Sequence, residues 1–257
     1  MSIHPTAIVD PSAKIPASCI VGPYCVIGAG AELGENCELG SHVVLGGPSK
    51  LGRDNRIYSF AVVGGDPQDV TYAGEPTRLE IGDRNQIREY VTINRGTLKG
   101  GGVTRIGNDV LIMAYTHVGH DCVIGDHAML VNAATLAGHV RVEEWAVVGA
   151  LCPVHQFVRI GAHSYIGGGT TITRDVLPYS MTSAERDTHA YMLNKVGLQR
   201  RGFSPKRIAR LHHAFKILLA SKLNTSQALE KLSAEAQDPD VAALVKFIEA
   251  SERGIIK

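Results

Sequence analysis

The chain has 257 residues, enough for one large buried core or a large and a small one. Its 26 lysines and arginines nearly balance 25 acids, and the net charge of +1 excludes an overall nucleic-acid or anionic-membrane signature. No apolar run is long enough for a transmembrane helix, and "MSIHPTAIVD" lacks the basic and apolar regions of a secretory signal, so the expected location is the cytoplasm.

From the N-terminus the chain runs in sixes. Ile3, Val9, Ile15, Val21, Ile27, Leu33, Leu39, Leu45, Leu51, Ile57 and Val63 form an unbroken aliphatic series, continued by Ile81, Ile87 and Ile93. The series resumes at Ile106 and runs through Ile112, Val118, Ile124, Leu130, Leu136, Val142, Val148, Val154, Ile160, Ile166 and Ile172. Four places after each aliphatic stands a mostly small residue, such as Ala7, Ala13, Cys19, Ala31, Thr116 or Ala134. Six is the period of neither an amphipathic helix nor a hairpin array. It is the period of an all-β parallel β-helix of hexapeptide repeats, three hexads to a triangular coil, with the aliphatic inside and the small residue filling the space near a corner. Hexapeptide solenoids coil left-handed, against the usual right-handed crossover.

Two breaks interrupt the rhythm. Val63 to Ile81 spans 18 residues, so "GGDPQDVTYAGEPTRLE" is expected to replace part of one coil in phase. Ile93 to Ile106 spans 13, so "RGTLKGGGVT" is expected to add one residue. These loops, near 64–80 and 96–105, project from the solenoid and are natural carriers of a binding surface. After Pro178 the hexads stop. The β-helix domain is therefore 1–178, and 179–257 is a small α-helical C-terminal domain. Its helices begin at Ser204 with Pro205 at the first position, at Asn224, and at Asp238 with Pro239, the last stopping at Gly254.

All five cysteines (19, 25, 37, 122 and 152) occupy the small-residue slot, which they share with alanine, serine, threonine and valine. They read as buried free thiols, and their odd number fits a reducing compartment. Cys122 is thereby set aside as ligand or nucleophile. His117, His120, His139, His155 and His163 fall off both interior positions and are expected to face outward. An outward histidine is ordinarily solvated surface, but residues 18 apart stack on one face. His120, Gly138 and Gln156 form one column. Asp121 and His139 form the next, and His155 adjoins Gln156. Two coils bring these groups within roughly 10 Å by the strand spacing.

Such a cluster suits acyl transfer by general-base catalysis. A neutral histidine takes a proton from a hydroxyl, Asp121 orients an imidazole, and Gly138 leaves a backbone N–H free to approach an oxyanion. With neither a nucleophile-elbow serine nor a reactive cysteine, direct transfer is favoured over a covalent intermediate. The competing reading is a metal site of the gamma-class carbonic anhydrase kind, with His117 and His120 as ligands. A third is a structural solenoid with scattered histidines. No cofactor is called for by the favoured reading.

The stretches "QDVTYAGEPTRLEIGDRNQIRE", "GGGVTRIG", "NAATLAGHV", "VHQF", "IGAHSYIGG" and "LQRRGFS" span nearly the whole chain. Through them the chain resembles the UDP-N-acetylglucosamine O-acyltransferases, which open lipid A biosynthesis. The resemblance implies transfer of an (R)-3-hydroxyacyl group from acyl carrier protein to the sugar 3-hydroxyl of UDP-N-acetylglucosamine, in a homotrimer with sites between neighbouring prisms. It implies His120 as the general base, Asp121 as its support and Gly138 as the oxyanion donor. It assigns substrate contacts to Gln68, Asp69, His117, His139, His155, Gln156, Asn194 and Arg200. Gly168 matches the floor of the acyl groove, where glycine admits a longer chain of about C14. The family pattern often has lysine where this chain has Thr71, which leaves one basic contact with the nucleotide or its phosphates unassigned. A later N-acyltransferase of the same pathway carries an extra N-terminal domain, whereas these hexads begin at Ile3. A 3-amino sugar acceptor stays open. Between residues 188 and 229, Lys195, Arg200, Arg201, Lys206, Arg207, Arg210, Lys216 and Lys222 occur without an acid. That patch would steer an acidic carrier protein. Base-stacking aromatics are absent there, which disfavours nucleic acid, and no membrane insertion is expected.

Overall fold

The computed structural model describes residues 2–184, 188–221, 223–234 and 238–256. Three parallel sheets form the faces of a prism. The first face runs from Ser2–Ile3 through Gln86–Ile87 to Tyr165–Ile166, the second from Ile8–Val9 through His117–Val118 to Pro153–Val154, and the third from Ser49–Leu51 through Val123–Ile124 to Arg159–Ile160. Uninterrupted coils pair 18 residues apart, as in Val118↔Leu136 and Ile124↔Val142. The hexad aliphatics are the core: Ile87, Ile93, Ile112, Leu130, Leu136 and Ile166 are completely buried.

The small-residue slot has a second use. Each cysteine thiol donates to a carbonyl fifteen residues on, Cys25 Sγ to Gly40 O at 2.9 Å and Cys122 Sγ to Ala137 O at 3.2 Å among them. All five cysteines are free and buried, and burial pushes the Cys122 thiol up to about 12. At that value the thiolate a nucleophile needs is not formed near neutrality.

The corners turn through a residue in the left-handed region, as at Asp121 (φ 61°), His139 (63°) and Phe157 (65°). Aspartate and histidine adopt this conformation more readily than most residues. One such residue per corner stacks side chains into columns. At the first-to-second corner, Phe60, Tyr90 and Tyr115 stack with centroids 5.2 and 4.9 Å apart.

Both rhythm breaks lie at the second-to-third corner, on successive coils, and both differ from their expected form. Ile81 pairs with Leu51, a separation of 30 instead of 18, and Ile106 pairs with Ile81, a separation of 25. Residues 66–77 are thus a twelve-residue insertion at one corner, with no coil replaced, and residues 95–102 carry seven extra residues. Residue spacing alone could not separate these cases, because an insertion of twelve preserves the six-residue phase.

Beyond Pro178 the chain first extends the solenoid. Ser180–Ala184 pairs parallel with Tyr165–Ile166, and Thr188–Leu193 returns antiparallel against it. Four α-helices follow among the described residues: α1 (Lys195–Arg200), α2 (Pro205–Leu219), α3 (Thr225–Ser233) and α4 (Pro239–Glu249). Ser204, Asn224 and Asp238 cap α2, α3 and α4 as expected. The last helix stops at Glu249 with Ala250 as its C-cap, before Gly254. Leu198, Leu211, Leu218, Leu232 and Leu244 join the helices into their own core. No helix among the described residues is long and apolar enough to cross a membrane.

Candidate active site

Three successive turns of the second-to-third corner present His120 and Asp121, then Gly138 and His139, then Gln156 and Phe157. The two insertions occupy the same corner on the preceding coils and wall this row at one end. They are tied to each other: Arg95 donates to Gly64 O at 2.8 Å, to the Tyr72 hydroxyl at 3.1 Å and to the Asp66 carboxylate, while Asn94 Nδ2 donates to Asp66 O at 2.7 Å.

Asp121 is the hub. Its side chain is fully buried. It accepts from the Thr97 N–H at 2.8 Å and from the Thr97 hydroxyl at 2.6 Å. Its own N–H donates to Thr104 Oγ1 at 2.8 Å. The remaining approach is taken by His120 Nδ1, 2.8 Å from Oδ2, with His139 Nε2 at 3.7 Å from the same oxygen. A carboxylate fixed by two donors on one side presents an acceptor to the imidazole on the other. That selects the tautomer with the proton on Nδ1 and the lone pair on Nε2.

Gly138 lies against that reactive edge. A Cβ built on it would sit 2.5 Å from His120 Cε1 and 2.7 Å from Nε2. Its N–H donates to no group among the described residues. Gly100 plays a similar part on the other side, where a Cβ would fall 2.0 Å from the Asp121 carboxyl carbon. Both glycines thus permit close approach: one to the imidazole, the other to its support.

His139 stacks on Phe157 at 4.4 Å and meets His120 edge-on at 5.1 Å. Burial lowers its pKa, against the opposing pull of Asp121. His117 is half-buried in its strand, with Nδ1 2.7 Å from Thr92 Oγ1, and burial lowers its pKa as well. Asp69, in the first insertion, accepts from the Thr71 N–H and hydroxyl, both at 2.8 Å. These bonds hold its carboxyl below the usual range, with smaller contributions from the charges of Lys99 and His120. A groove of about 890 Å³ runs from this row along the third face, lined by Lys99, Asp121, His139, Arg141, Phe157 and Arg159 among others.

The structure brings together His117, His120, Asp121, Gly138 and His139, and sets Asp69 close enough to His120 for their charges to interact. Gln68 and Gln156 are exposed on the same side, as is His155, whose Nδ1 lies 3.1 Å from Gln156 O. Gly168, in contrast, turns the first-to-second corner and is exposed. Asn194 sits at the third corner, where it caps α1 and donates to His163 O at 3.0 Å. Arg200 is exposed in the last turn of α1.

His163 does not face solvent as its register implied. Its ring packs 4.9 Å from Phe203 and 5.6 Å from Tyr179, because the helical segment covers that corner, and burial lowers its pKa to about 4. The basic stretch is also less free than its composition suggests. Asp240 takes Arg207 in two bonds of 2.8 Å, and Asp238 takes Arg210. Lys222 lies outside the described residues. Thr97, Thr104 and Gly100 escape a reading by hexads because their contacts with Asp121 depend on how the second insertion folds back; Phe157 stands one coil beyond His139 in its column, where its ring stacks on the imidazole.

His117 and His120, the pair weighed as metal ligands, do not share one ligand cluster. Among the described residues, the histidine, cysteine and acidic groups within ligand range of one another are His120, Asp121 and His139; His117 is directed to Thr92. Fold and site together define a hexapeptide-repeat transferase with a histidine–aspartate pair.

Comparison with known proteins narrows this class. The "Bacterial transferase hexapeptide (six repeats)" model matches residues 104–138, and "Udp N-acetylglucosamine O-acyltransferase; Domain 2" matches residues 175–256. The acyl-[acyl-carrier-protein]–UDP-N-acetylglucosamine O-acyltransferase of Ectopseudomonas mendocina is 55% identical, covering 100% of this chain and 99% of its own. That of Janthinobacterium sp. is 53% identical, covering 99% of each. The crystal structure of UDP-N-acetylglucosamine acyltransferase from Francisella novicida superposes with a TM-score of 0.97 at 42% identity, covering 99% of this chain and 93% of that one. The Moraxella catarrhalis enzyme gives 0.95 at 43%, covering 100% of both. The chain belongs to the UDP-N-acetylglucosamine O-acyltransferase family and is an O-acyltransferase. The carbonic anhydrase alternative finds no support in these relatives.

Proposed function

We propose that the enzyme moves an (R)-3-hydroxyacyl group from acyl carrier protein to the 3-hydroxyl of UDP-N-acetylglucosamine, the first step of lipid A biosynthesis, with His120 as general base. The relatives' names support the donor carrier, the acceptor sugar nucleotide and O-acyl transfer. The observation that carries the assignment of the base is the 2.8 Å contact of His120 Nδ1 with buried Asp121, which in the neutral ring places the proton on Nδ1 and the lone pair on Nε2, beside Gly138.

In this reading, Nε2 takes the proton of the sugar hydroxyl as its oxygen attacks the thioester carbonyl carbon. The carbonyl π electrons move to oxygen, and the Gly138 N–H donates to the oxyanion. The tetrahedral centre collapses, the C–S bond breaks, and the proton on His120 passes to the departing thiolate. Asp121 stabilises the imidazolium between these events without taking the proton. No covalent acyl-enzyme is needed.

Asp69, Gln68, His117, His139, His155 and Gln156 hold the sugar nucleotide in this reading. Gly168, Asn194 and Arg200 lie at other corners of the prism and act from a neighbouring copy in a homotrimer, with Gly168 at the floor of the acyl groove. Five buried free thiols suit a cytoplasmic enzyme. The expected boundary at 178 moves: the strands Ser180–Ala184 and Thr188–Leu193 still belong to the first sheet, and the helical part begins at Lys195. The test is an acylation assay with UDP-N-acetylglucosamine and a series of 3-hydroxyacyl carriers. Ester formation at the 3-hydroxyl, fastest near C14, is the expected result. No ester from any carrier would refute the assignment.

A further inference from the structure

Lys99 stands on the 3₁₀ turn Leu98–Gly100, whose N-cap is Thr97. Thr97 is tied to Asp121 by its two hydrogen bonds, so the turn is built on the carboxylate that orients His120. From there Lys99 Nζ crosses to the other insertion and donates to Thr71 Oγ1 at 2.9 Å. The Thr71 hydroxyl in turn donates a hydrogen bond to Asp69 Oδ1. The contacts form an arc from Asp121 through Thr97, Lys99 and Thr71 to Asp69, bounding one end of the site.

The cations of the two insertions and of the strands that follow them are committed elsewhere, Lys99 aside; Arg141, on the third face, lines the same groove and makes no ion pair among the described residues. Arg95 pairs with Asp66, and Arg78 and Arg105 both pair with Glu80. Lys99 makes no ion pair among the described residues, is exposed, and lines the groove that also holds Asp121 and His139. A hydroxyl is a weak partner for a full positive charge, and Asp69 lies beyond it. The ammonium is held in place, and its charge acts on Asp69 only as one of the smaller influences on that carboxyl, with no carboxylate paired to it among the described residues. A lysine presented this way recognises phosphate as a point charge.

We propose that Lys99 is the cationic contact for a phosphate of the sugar nucleotide and a determinant of acceptor binding. This rests on the acceptor proposed above. The nucleotide is favoured over the phosphodiester of the carrier's pantetheine arm because Lys99 is bonded to the same insertion that carries Gln68 and Asp69.

The experiment is steady-state kinetics on the intact enzyme, with UDP-N-acetylglucosamine varied at saturating acyl carrier and then the reverse. Lys99→Gln is expected to raise KM for the nucleotide about 10- to 100-fold, the range of a lost charge-assisted hydrogen bond, with kcat within about threefold. KM for the carrier stays unchanged. Lys99→Arg recovers most of the loss. So does the double variant Thr71→Lys/Lys99→Gln, which returns an ammonium to the same place from the facing insertion. An unchanged nucleotide KM, a rise confined to the carrier, or a fall in kcat alone would each overturn the proposal. If wild-type enzyme turns over the nucleotide and Lys99→Gln matches it, Lys99 loses its role and the acceptor stands. If wild-type enzyme does not acylate the nucleotide, the acceptor assignment itself fails.

Discussion

Replacing Gly138 by alanine puts a methyl group into space held by the His120 ring. The new carbon would lie 2.5 Å from Cε1 and 2.7 Å from Nε2, whereas comfortable carbon contacts are about 3.5–4.0 Å. The ring must therefore retreat by about 1 Å. It cannot do so and keep its 2.8 Å bond to Asp121, because that carboxylate is buried and pinned by Thr97. The backbone N–H stays in place, so the loss reports on the base. A displacement near 1 Å costs about 10²-fold, and a lost general base 10²–10⁴-fold. Gly138→Ala is expected to lower kcat by about 10²–10³-fold with the thermal transition nearly unmoved. Gly65→Ala is the control, since its Cβ would meet nothing nearer than 3.6 Å. Initial rates of ester formation from acyl carrier and UDP-N-acetylglucosamine are the assay, with circular dichroism for the fold. A Gly138→Ala enzyme within threefold of wild type would refute the reasoning.

Asp121→Asn should place an amide where His120 Nδ1 needs an acceptor, shift the proton to Nε2 and cost roughly 10²–10⁴-fold in kcat; turnover within fivefold would show that the carboxylate does not set the tautomer. His163, with its pKa lowered to about 4, should make stability fall as pH drops from about 6.5 towards 4, because the unfolded chain binds the proton first. Allowing for the ring's partial exposure, the contribution is about 1–2 kcal/mol. His163→Phe, which keeps the stacking, should flatten that slope in chemical denaturation, and identical slopes would count against it. The five buried thiols should resist a thiol reagent in the native enzyme and react only on unfolding, with Cys122→Ala retaining activity; rapid native labelling of Cys122 would contradict its place in the core.

The column of His120, Gly138 and Gln156, and that of Asp121 and His139, were legible in the sequence because a six-residue period fixes inward and outward and an 18-residue coil fixes what stacks. The same register correctly put Cys122 in the core. It was silent on the backbone conformation of the corner residues. Their left-handed backbone is set by the turn, and Asp121, His139 and Phe157 share that conformation without sharing chemistry. Nor could spacing show that both insertions leave one corner, and hence that Thr97 would reach Asp121. His163 was misread for a related reason. The period describes a bare prism, and the helices that cover this corner come from a segment with a different period.

The account stands on His120 acting as the base, and one comparison tests this directly: initial rates of ester formation by wild type and His120→Ala at saturating 3-hydroxyacyl carrier and UDP-N-acetylglucosamine. The prediction is a loss of about 10²–10⁴-fold in kcat with the oligomer intact by size-exclusion chromatography. A folded His120→Ala enzyme within about tenfold of wild type would contradict it.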